Sequence, residues 1–339
     1  MKKLCIKLTF CLIAILLYIL PASAQDPYFT QYFASPLSLN PANTGLFDGD
    51  YRVAVNQRVQ WWNVGSSYHT TSISFDAKLF QEQMPDFDIF GIGFSGIFDK
   101  SLNGALESTF LSASGAYHKS LASDGRHILT VGMQATYANR FINYNQLTFA
   151  SQFNVDFFDR SLPNYVDTRY SATSYLEANA GLIYSYHVEK ANLYIGTSLY
   201  HATRPTEQLF NETGYKVPFR TTIHMGGEVY VNDQSSVLFS GVYAEQQNIT
   251  DKIFGVAYGI STAQPYFNST EPRVKFYLGL WHRLGQSFIP YVGVDYNNYG
   301  VGLNYSFTSS QLSNYRPQTF EISFIYRKRA NKSSLCPRF

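Results

Sequence analysis

The chain has 339 residues, with 26 basic and 24 acidic side chains, a formal net charge of +2 and an aromatic content of 17%. A charge this balanced excludes the concentrated basic surface typical of nucleic-acid-binding proteins, so no nucleic-acid partner is expected. Hydrophobic residues make up 45% of the chain, yet beyond residue 24 no apolar run approaches the roughly 20 residues that a membrane helix needs.

The first 24 residues have the features of a secretory signal peptide. Three lysines lie within the first seven residues, an apolar run covers residues 8–20, and residues 21–24 form an A-x-A-like cleavage site. We expect cleavage before Gln25, which leaves 315 residues; the alternative is an uncleaved helical anchor. Because glutamine and not cysteine follows the cleavage site, no lipid anchor is expected.

Cleavage would change both the cysteine content and the charge. Cys5 and Cys11 leave with the signal peptide, so Cys336 is the one remaining cysteine, and neither an internal disulfide nor a cysteine-based metal site is possible. The mature chain keeps 23 basic and 24 acidic side chains, a formal net charge of −1. Cys336 is either a buried free thiol or the partner of a cysteine in another protein in an oxidising periplasm.

Residues 25–48 contain three prolines and several aromatic residues but have no regular period, so they are not predicted as a strand. The segment is too aromatic for a flexible tail. We expect it to pack inside the lumen of a barrel or against its periplasmic mouth. Asn40-Pro41 and Thr44-Gly45 are turn signals. Asn40, Pro41 and Gly45 are candidate partner-binding residues; a structural plug without a partner is the alternative.

Alternation of apolar and polar residues with period two recurs along the rest of the chain and predicts β-strands, for example over residues 129–137, 176–187 and 320–326. Aromatic pairs lie near strand ends, where the girdles of a membrane barrel are found. These pairs are Tyr184 and Tyr186, Tyr194 and Tyr200, and Tyr296 and Tyr299. A closed barrel satisfies every backbone group in lipid. The sequence therefore predicts an all-β fold, a transmembrane antiparallel β-barrel of the bacterial outer membrane.

We predict fourteen strands, an even number as in bacterial barrels, within residues 49–327. They cover residues 50–61, 69–79, 89–99, 106–118, 127–142, 175–187, 191–201, 219–232, 235–246, 252–261, 274–282, 288–297, 299–307 and 318–327. With the N-terminus in the periplasm, the two longest connections, 143–174 and 202–218, are extracellular, as expected for such barrels. The connections 262–273 and 283–287 fit this asymmetry less well. Trp61 and Trp62 are expected to anchor the membrane interface.

Glycines within the third strand, at positions 91, 93 and 96, admit two interpretations. Glycine relieves crowding where a barrel bends or where another chain approaches closely. We favour bending.

The C-terminal end of the chain is basic. Five of the thirteen residues 327–339 are basic and none is acidic. We assign residues 328–339 to a periplasmic tail, which would contact anionic lipid headgroups or an acidic partner; a solvated run of charges is the alternative. The candidate partner-binding residues here are Arg327, Arg329, Cys336, Arg338 and Phe339.

The mature N-terminus carries a specific motif, which reads Gln25-Asp26-Pro27-Tyr28-Phe29-Thr30-Gln31-Tyr32-Phe33-Ala34-Ser35-Pro36-Leu37-Ser38-Leu39-Asn40-Pro41-Ala42-Asn43-Thr44-Gly45. It resembles the N-terminal signature of the PorP/SprF family. Residues 288–296, 320–326 and 336–339 are similar to the closing strands and the end of that family. The resemblance covers essentially the whole mature chain, whereas the loop 141–174 and the tail 328–335 match no motif.

The resemblance implies an outer-membrane barrel that works with the type IX secretion and gliding machinery. Members of the family are thought to serve the export or surface attachment of particular large proteins, and others associate with the periplasmic ring. The expected partners are therefore outer-membrane lipid, secreted surface proteins with type IX C-terminal signals, and the ring or other machine components. No cofactor is expected.

The residues give little support to catalysis, and we expect no enzyme. None of the seven histidines belongs to an H-E-x-x-H or C-x-x-C pattern. His118 with Ser120 and His224 with Thr222 are the nearest candidates for a barrel hydrolase, and no spacing specifies a triad. The loop acids Asp156, Asp159 and Asp167 do not match a calcium-binding pattern.

A passive porin is the main alternative function. A porin would need a wide lumen lined by opposed charges, but charged residues make up only 15% of the chain, and the predicted inward positions are mostly Ser, Thr, Gly, Asn and Tyr. A filled barrel of fourteen strands would conduct little.

Overall fold

A computed structural model of the protein describes residues 26–154, 157–166, 171–209, 214–262, 274–310 and 317–328. Within these ranges the chain forms sixteen strands. They are β1 (Tyr51–Gln60), β2 (Tyr68–Leu79), β3 (Ile89–Ser101), β4 (Leu106–Ser120), β5 (His127–Ile142), β6 (Ala172–Val188), β7 (Ala191–Tyr200), β8 (Thr206–Glu207), β9 (Tyr215–Lys216), β10 (Arg220–Tyr230), β11 (Ser235–Gln246), β12 (Ile249–Ser261), β13 (Val274–Arg283), β14 (Ser287–Tyr296), β15 (Tyr299–Thr308) and β16 (Gln318–Lys328).

Fourteen of these strands form one closed antiparallel barrel, which confirms the predicted fold class. Each barrel strand pairs with its neighbour in sequence, β10 pairs with β7, and β1 closes the barrel against β16 with Tyr51 opposite Lys328. The two-residue strands β8 and β9 pair only with each other, inside the connection predicted as a plain loop. The sixth and tenth predicted strands begin three residues earlier than expected, at Ala172 and Ile249.

The two faces of the barrel wall have opposite chemistry. Met133 and Leu176 are 67% and 73% exposed on the outside, whereas Thr130 and Glu321 are fully buried on the inside. A soluble protein would bury its apolar face, so this inverted arrangement is that of a wall surrounded by lipid. Among the described residues, no helix is long and apolar enough to cross a membrane.

The two ends of the barrel are defined by its connections. We call the end where β1 begins and β16 ends the turn end, and the opposite end, which carries the two longest connections, the loop end. In bacterial barrels the short turns face the periplasm and the long loops face the outside.

The predicted aromatic pairs differ in which way they point. Tyr184, Tyr296 and Tyr299 lie on the outer face, as expected for a membrane-interface girdle. Tyr194 and Tyr200 were wrongly included, because they share the inward parity of Ser198 on β7, and the Tyr200 hydroxyl donates to the carbonyl of Leu37 at 2.8 Å. Proximity to a strand end does not show which face a side chain takes, since alternation decides that.

The N-terminal segment, residues 26–48, lies in the lumen. It contains 3₁₀ turns at Tyr32–Ala34 and Pro41–Asn43 and one helical turn, α1 (Pro36–Leu39). Its residues belong to three of the four hydrophobic clusters found among the described residues, so it forms the core of the barrel. Asp26 lies beside the end of β7 at the loop end, while Gly45 contacts Asp76 near the turn end. The segment therefore runs the length of the lumen and does not stop at the periplasmic mouth.

Candidate functional site: the filled lumen

At the middle of the barrel, Asn40 joins the segment to the wall. Its amide nitrogen donates to the carbonyls of Leu182 and Thr197, at 3.2 and 3.0 Å, and approaches Nε2 of His224 at 2.9 Å. Its side-chain oxygen accepts the N–H of Ala42 at 2.9 Å and so caps the turn that begins at Pro41. One fully buried side chain thus shapes the segment and attaches it to β6, β7 and β10.

Near the turn end, a buried ion pair of the wall binds the segment through hydrogen bonds. Arg52 and Asp76 are almost completely buried and pair at 2.8 Å, with a second contact of 3.0 Å from Nε of Arg52. Asp76 also accepts the backbone N–H of Gly45 at 2.8 Å, and Arg52 donates to the carbonyl of Asn43 at 3.2 Å. The guanidinium of Arg52 stacks over the ring of Phe47. Besides their pairing with each other, the segment gives Asp76 one further donor and Arg52 one further acceptor.

Toward the loop end, Glu321 of β16 binds the main chain of the segment. Its two carboxylate oxygens accept the N–H groups of Thr30 and Gln31 at 2.7 and 2.8 Å. Arg58 lies 3.5 Å from the same carboxylate and donates to the carbonyl of Tyr28. A buried carboxylate with two backbone donors is a strong, charge-assisted attachment.

The first described residue, Asp26, enters a cluster of charges at the loop end. Its carboxylate lies 2.7 Å from Nε2 of His201 and 3.1 Å from Arg220. The other ring nitrogen of His201 contacts Glu177, so both nitrogens face a carboxylate and the imidazolium form is favoured.

The cluster shifts the pKa values of two of its members. Burial alone would lower the pKa of His201, but Asp26 and Glu177 raise it to about 9. Burial alone would raise the pKa of Asp26, but His201 and Arg220 hold it well below its ordinary value. The carboxylate of Asp26 and the imidazolium of His201 are therefore both charged at neutral pH.

Glycines in the wall make room for the segment. A Cβ on Gly132 would collide with the backbone of Pro41 and Ala42, one on Gly91 with that of Thr44, and one on Gly181 with the side chain of Asn40. A bend alone therefore does not account for Gly91, because the close approach of the protein's own N-terminal segment requires a residue without a side chain. Gly93 likewise faces Leu37 and Thr44, whereas Gly96 faces only wall residues.

The predicted site residues fall into three groups. Asn40, Pro41 and Gly45 come together in the lumen and are buried there. Arg327 belongs to β16 and not to a free tail, and its guanidinium pairs with Asp295 at 3.0 Å near the turn end. Arg329, Cys336, Arg338 and Phe339 lie outside the described residues. A role of any of them in binding a partner stays a prediction.

The charged side chains of the lumen were not anticipated from the sequence. Arg52, Arg58, Glu177, Arg220 and Glu321 all sit at inward positions of their strands, and all are buried. Their inward parity was the available signal. The low overall charge content of the chain drew attention away from these positions. A few charged side chains are enough to bind the N-terminal segment when each one is paired inside the barrel.

The histidines considered as candidates for a hydrolase, His118 and His224, contact the N-terminal segment in the lumen instead. Nε2 of His118 donates to the carbonyl of Thr44 at 2.8 Å, and its Nδ1 lies 2.9 Å from the hydroxyl of Thr130. The hydroxyl of Ser120 donates to the carbonyl of Ala122. Within the described ranges, no group of three or more His, Cys, Asp or Glu residues could hold a metal ion. Asp159 caps Ser161 in an exposed loop, while Asp156 and Asp167 are outside these ranges.

Sequence comparison identifies the family. A profile described as "Type IX secretion system membrane protein PorP/SprF" matches residues 22–326. The chain belongs to the PorP/SprF family. This membership and the closed barrel assign the protein to the outer membrane. No curated protein matches the chain.

Solved structures that are similar to this chain include a transporter and a FadL homologue. The toluene transporter TbuX of Ralstonia pickettii has a TM-score of 0.52 and 13% identity, over 87% of this chain and 93% of the transporter. A FadL homologue of Pseudomonas aeruginosa has a TM-score of 0.47 and 9% identity, over 85% and 92% of the two chains. At such identity the likeness to TbuX concerns the fold alone. None of the names in these comparisons describes an enzyme.

Proposed function

We propose that this PorP/SprF protein is a closed accessory barrel of the type IX secretion and gliding machinery. It reaches the outer membrane after removal of its signal peptide. There it serves the export or surface attachment of particular large proteins, by engaging either their C-terminal signals or the periplasmic ring. In this proposal the barrel is a docking element in the membrane and catalyses no reaction.

The observation that carries the proposal is the attachment of residues 26–48 to the inside of the wall. Asn40 of the segment bonds to the wall, and three side chains of the barrel, Asp76 of β2, Glu321 of β16 and His201 directly after β7, bind the segment at other levels. Removing a segment that is held by buried ion pairs and buried main-chain hydrogen bonds would cost much free energy, because it would leave buried charges without partners. A barrel closed in this way is suited to holding a partner and not to passing solutes.

The decisive test is deletion of the gene in its native host, followed by comparison of the secreted and surface proteomes with those of the parent. Loss of one or a few large surface proteins, restored by the wild-type gene, would support a role in the export of particular substrates. Loss of all type IX cargo would make the protein a core component instead. An unchanged surface proteome would contradict the proposal.

A passive channel is the competing function, and single-channel recording separates the two. The intact protein is expected to show little conductance, and the variant lacking residues 26–48 is expected to show large, steady currents if it still folds. Heat-dependent mobility on gels provides the folding control. Large currents from the intact protein would favour the channel.

A further inference from the structure

The segment fills the lumen unevenly and leaves a cavity of about 100 Å³ on one side. Residues 40–46 pack against β3 to β7 in the turn-end half of the barrel. Among the described residues, no part of the segment covers the opposite wall, formed by β10 to β16, in that half. The cavity lies between that wall and the aromatic residues Tyr32 and Phe33 of the segment.

Aromatic rings held in place form the inner part of the cavity. The ring of Phe33 lies 5.4 Å from that of Tyr291 and 5.7 Å from that of Trp281, and Trp281 and Tyr291 meet edge to face at 5.4 Å. Ser240 fixes two of the rings, because its hydroxyl oxygen receives the Tyr32 hydroxyl at 2.6 Å and the Trp281 indole N–H at 3.2 Å. The rings of Tyr32 and Trp281 are thus preorganised, and their polar groups are already bonded.

Toward the turn end the lining becomes polar. Asp295 lies there, paired with Arg327 at 3.0 Å and approached by the Tyr277 hydroxyl at 3.3 Å. Its side chain is 29% exposed, so it is the lining carboxylate with room for one more donor.

We propose that this cavity binds a single aromatic ring that carries a hydroxyl or N–H donor, that is, a phenol or an indole. An enclosed cavity of about 150 Å³ lined by Leu, Ile and Phe binds benzene. The space here is smaller, about 100 Å³, but partly open, so it admits one ring and no more. Edge-to-face contacts with Phe33 and Trp281 would hold the ring. Its donor would bond to Asp295. The site is independent of the proposed role in secretion.

The same chemistry can come from a free phenol or from a tyrosine side chain of a polypeptide, and competition distinguishes these sources. The reporter is Trp281, one of three tryptophans in the chain. A W61F/W62F variant leaves it as the only one. This full-length variant is placed in lipid nanodiscs and titrated with para-bromophenol, whose bromine quenches tryptophan on contact.

Saturable quenching of Trp281 is expected, with bromobenzene binding about tenfold more weakly because it cannot bond to Asp295. Phenol and N-acetyl-tyrosinamide are then compared as competitors. Stronger competition by phenol assigns the site to a free molecule, and equal or stronger competition by the tyrosine amide assigns it to a side chain. Quenching that rises linearly without saturation would overturn the proposal.

A matched pair of variants on β11 tests the location. Leu238 lines the cavity, whereas Val237 is opposite Tyr258 on the outer face. L238F reduces the space and is expected to weaken binding at least about tenfold, while V237F leaves it unchanged. Equal binding by both variants, with both running as folded barrels on gels, would overturn the assignment.

Discussion

Nε2 of His201 lies 2.7 Å from the carboxylate of Asp26, and this contact joins the first described residue of the protein to the end of β7. These two residues are 175 positions apart in the chain. Their contact holds the N-terminal segment at the loop end, far from the point where the segment enters β1. The segment is therefore held at both of its ends.

This contact predicts a pH dependence of stability. The pKa of His201 is raised from 6.5 to about 9, so its contribution is complete below pH 6.5 and is lost as the pH rises through 9. The thermal unfolding midpoint, followed by heat-dependent gel mobility, should therefore decrease as the pH is raised from 6.5 to 9.

The H201Q variant should have a lower unfolding midpoint than the wild type at pH 6.5, and this midpoint should change little up to pH 9. H127Q is the control, because His127 lies on the outer face, where it contacts the hydroxyl of Tyr184 and not the N-terminal segment. This substitution should leave the profile unchanged. A wild-type midpoint that stays constant up to pH 9 would contradict the prediction.

Among the acidic residues of the wall, Glu321 should be the one whose substitution lowers the free energy of unfolding most. E321Q leaves one acceptor oxygen for the N–H groups of Thr30 and Gln31, and it leaves Arg58 buried beside a neutral group. We expect a loss of about 3 kcal/mol in the free energy of unfolding, measured by urea titration in lipid vesicles.

E107Q is the matched control for that experiment, because Glu107 pairs with Lys100 at an exposed position. Its effect should stay below about 1 kcal/mol. Equal effects of the two substitutions would show that the segment does not depend on Glu321.

Gly132 should be intolerant of any side chain. In G132A the new Cβ would overlap the backbone of Pro41 and Ala42, so the segment has to shift. We expect a folded barrel with faster protease cleavage within residues 26–48 and a higher conductance. G241A is the control, since the nearest atom to its Cβ would be 3.7 Å away. Identical cleavage rates in the two variants would disprove the close approach.

The lipid-facing wall can be tested with a single charge. Met133 lies in the middle of β5 and is 67% exposed on the outside. M133R should cost about 2–4 kcal/mol of folding free energy in vesicles, because the charge meets the bilayer interior. L121R, in the connection after β4, should cost about 1 kcal/mol or less. A negligible cost at Met133 would mean that this face does not contact lipid.

Several features could be read from the sequence because they arise from local geometry. Successive side chains on a strand point to opposite faces, so the alternation around Met133 predicted both the strand and its outward side. Fourteen strands followed from counting such segments. The same rule, applied at Tyr200, would have placed that side chain inside. Tyr200 was placed in the outer girdle because it lies near a strand end, although the alternation of side chains along the strand indicates the inner face.

The sequence by itself determined that the chain is a barrel of fourteen alternating strands with an unusual N-terminal segment. Only the tertiary structure decided where that segment runs and what holds it. Thr30 and Glu321 are 291 positions apart, and their contact depends on the closure of β1 against β16. Likewise, the role of Gly132 depends on which backbone lies opposite it. Local patterns encode the direction of a side chain, but a partner across the lumen is set by the closure of the whole barrel.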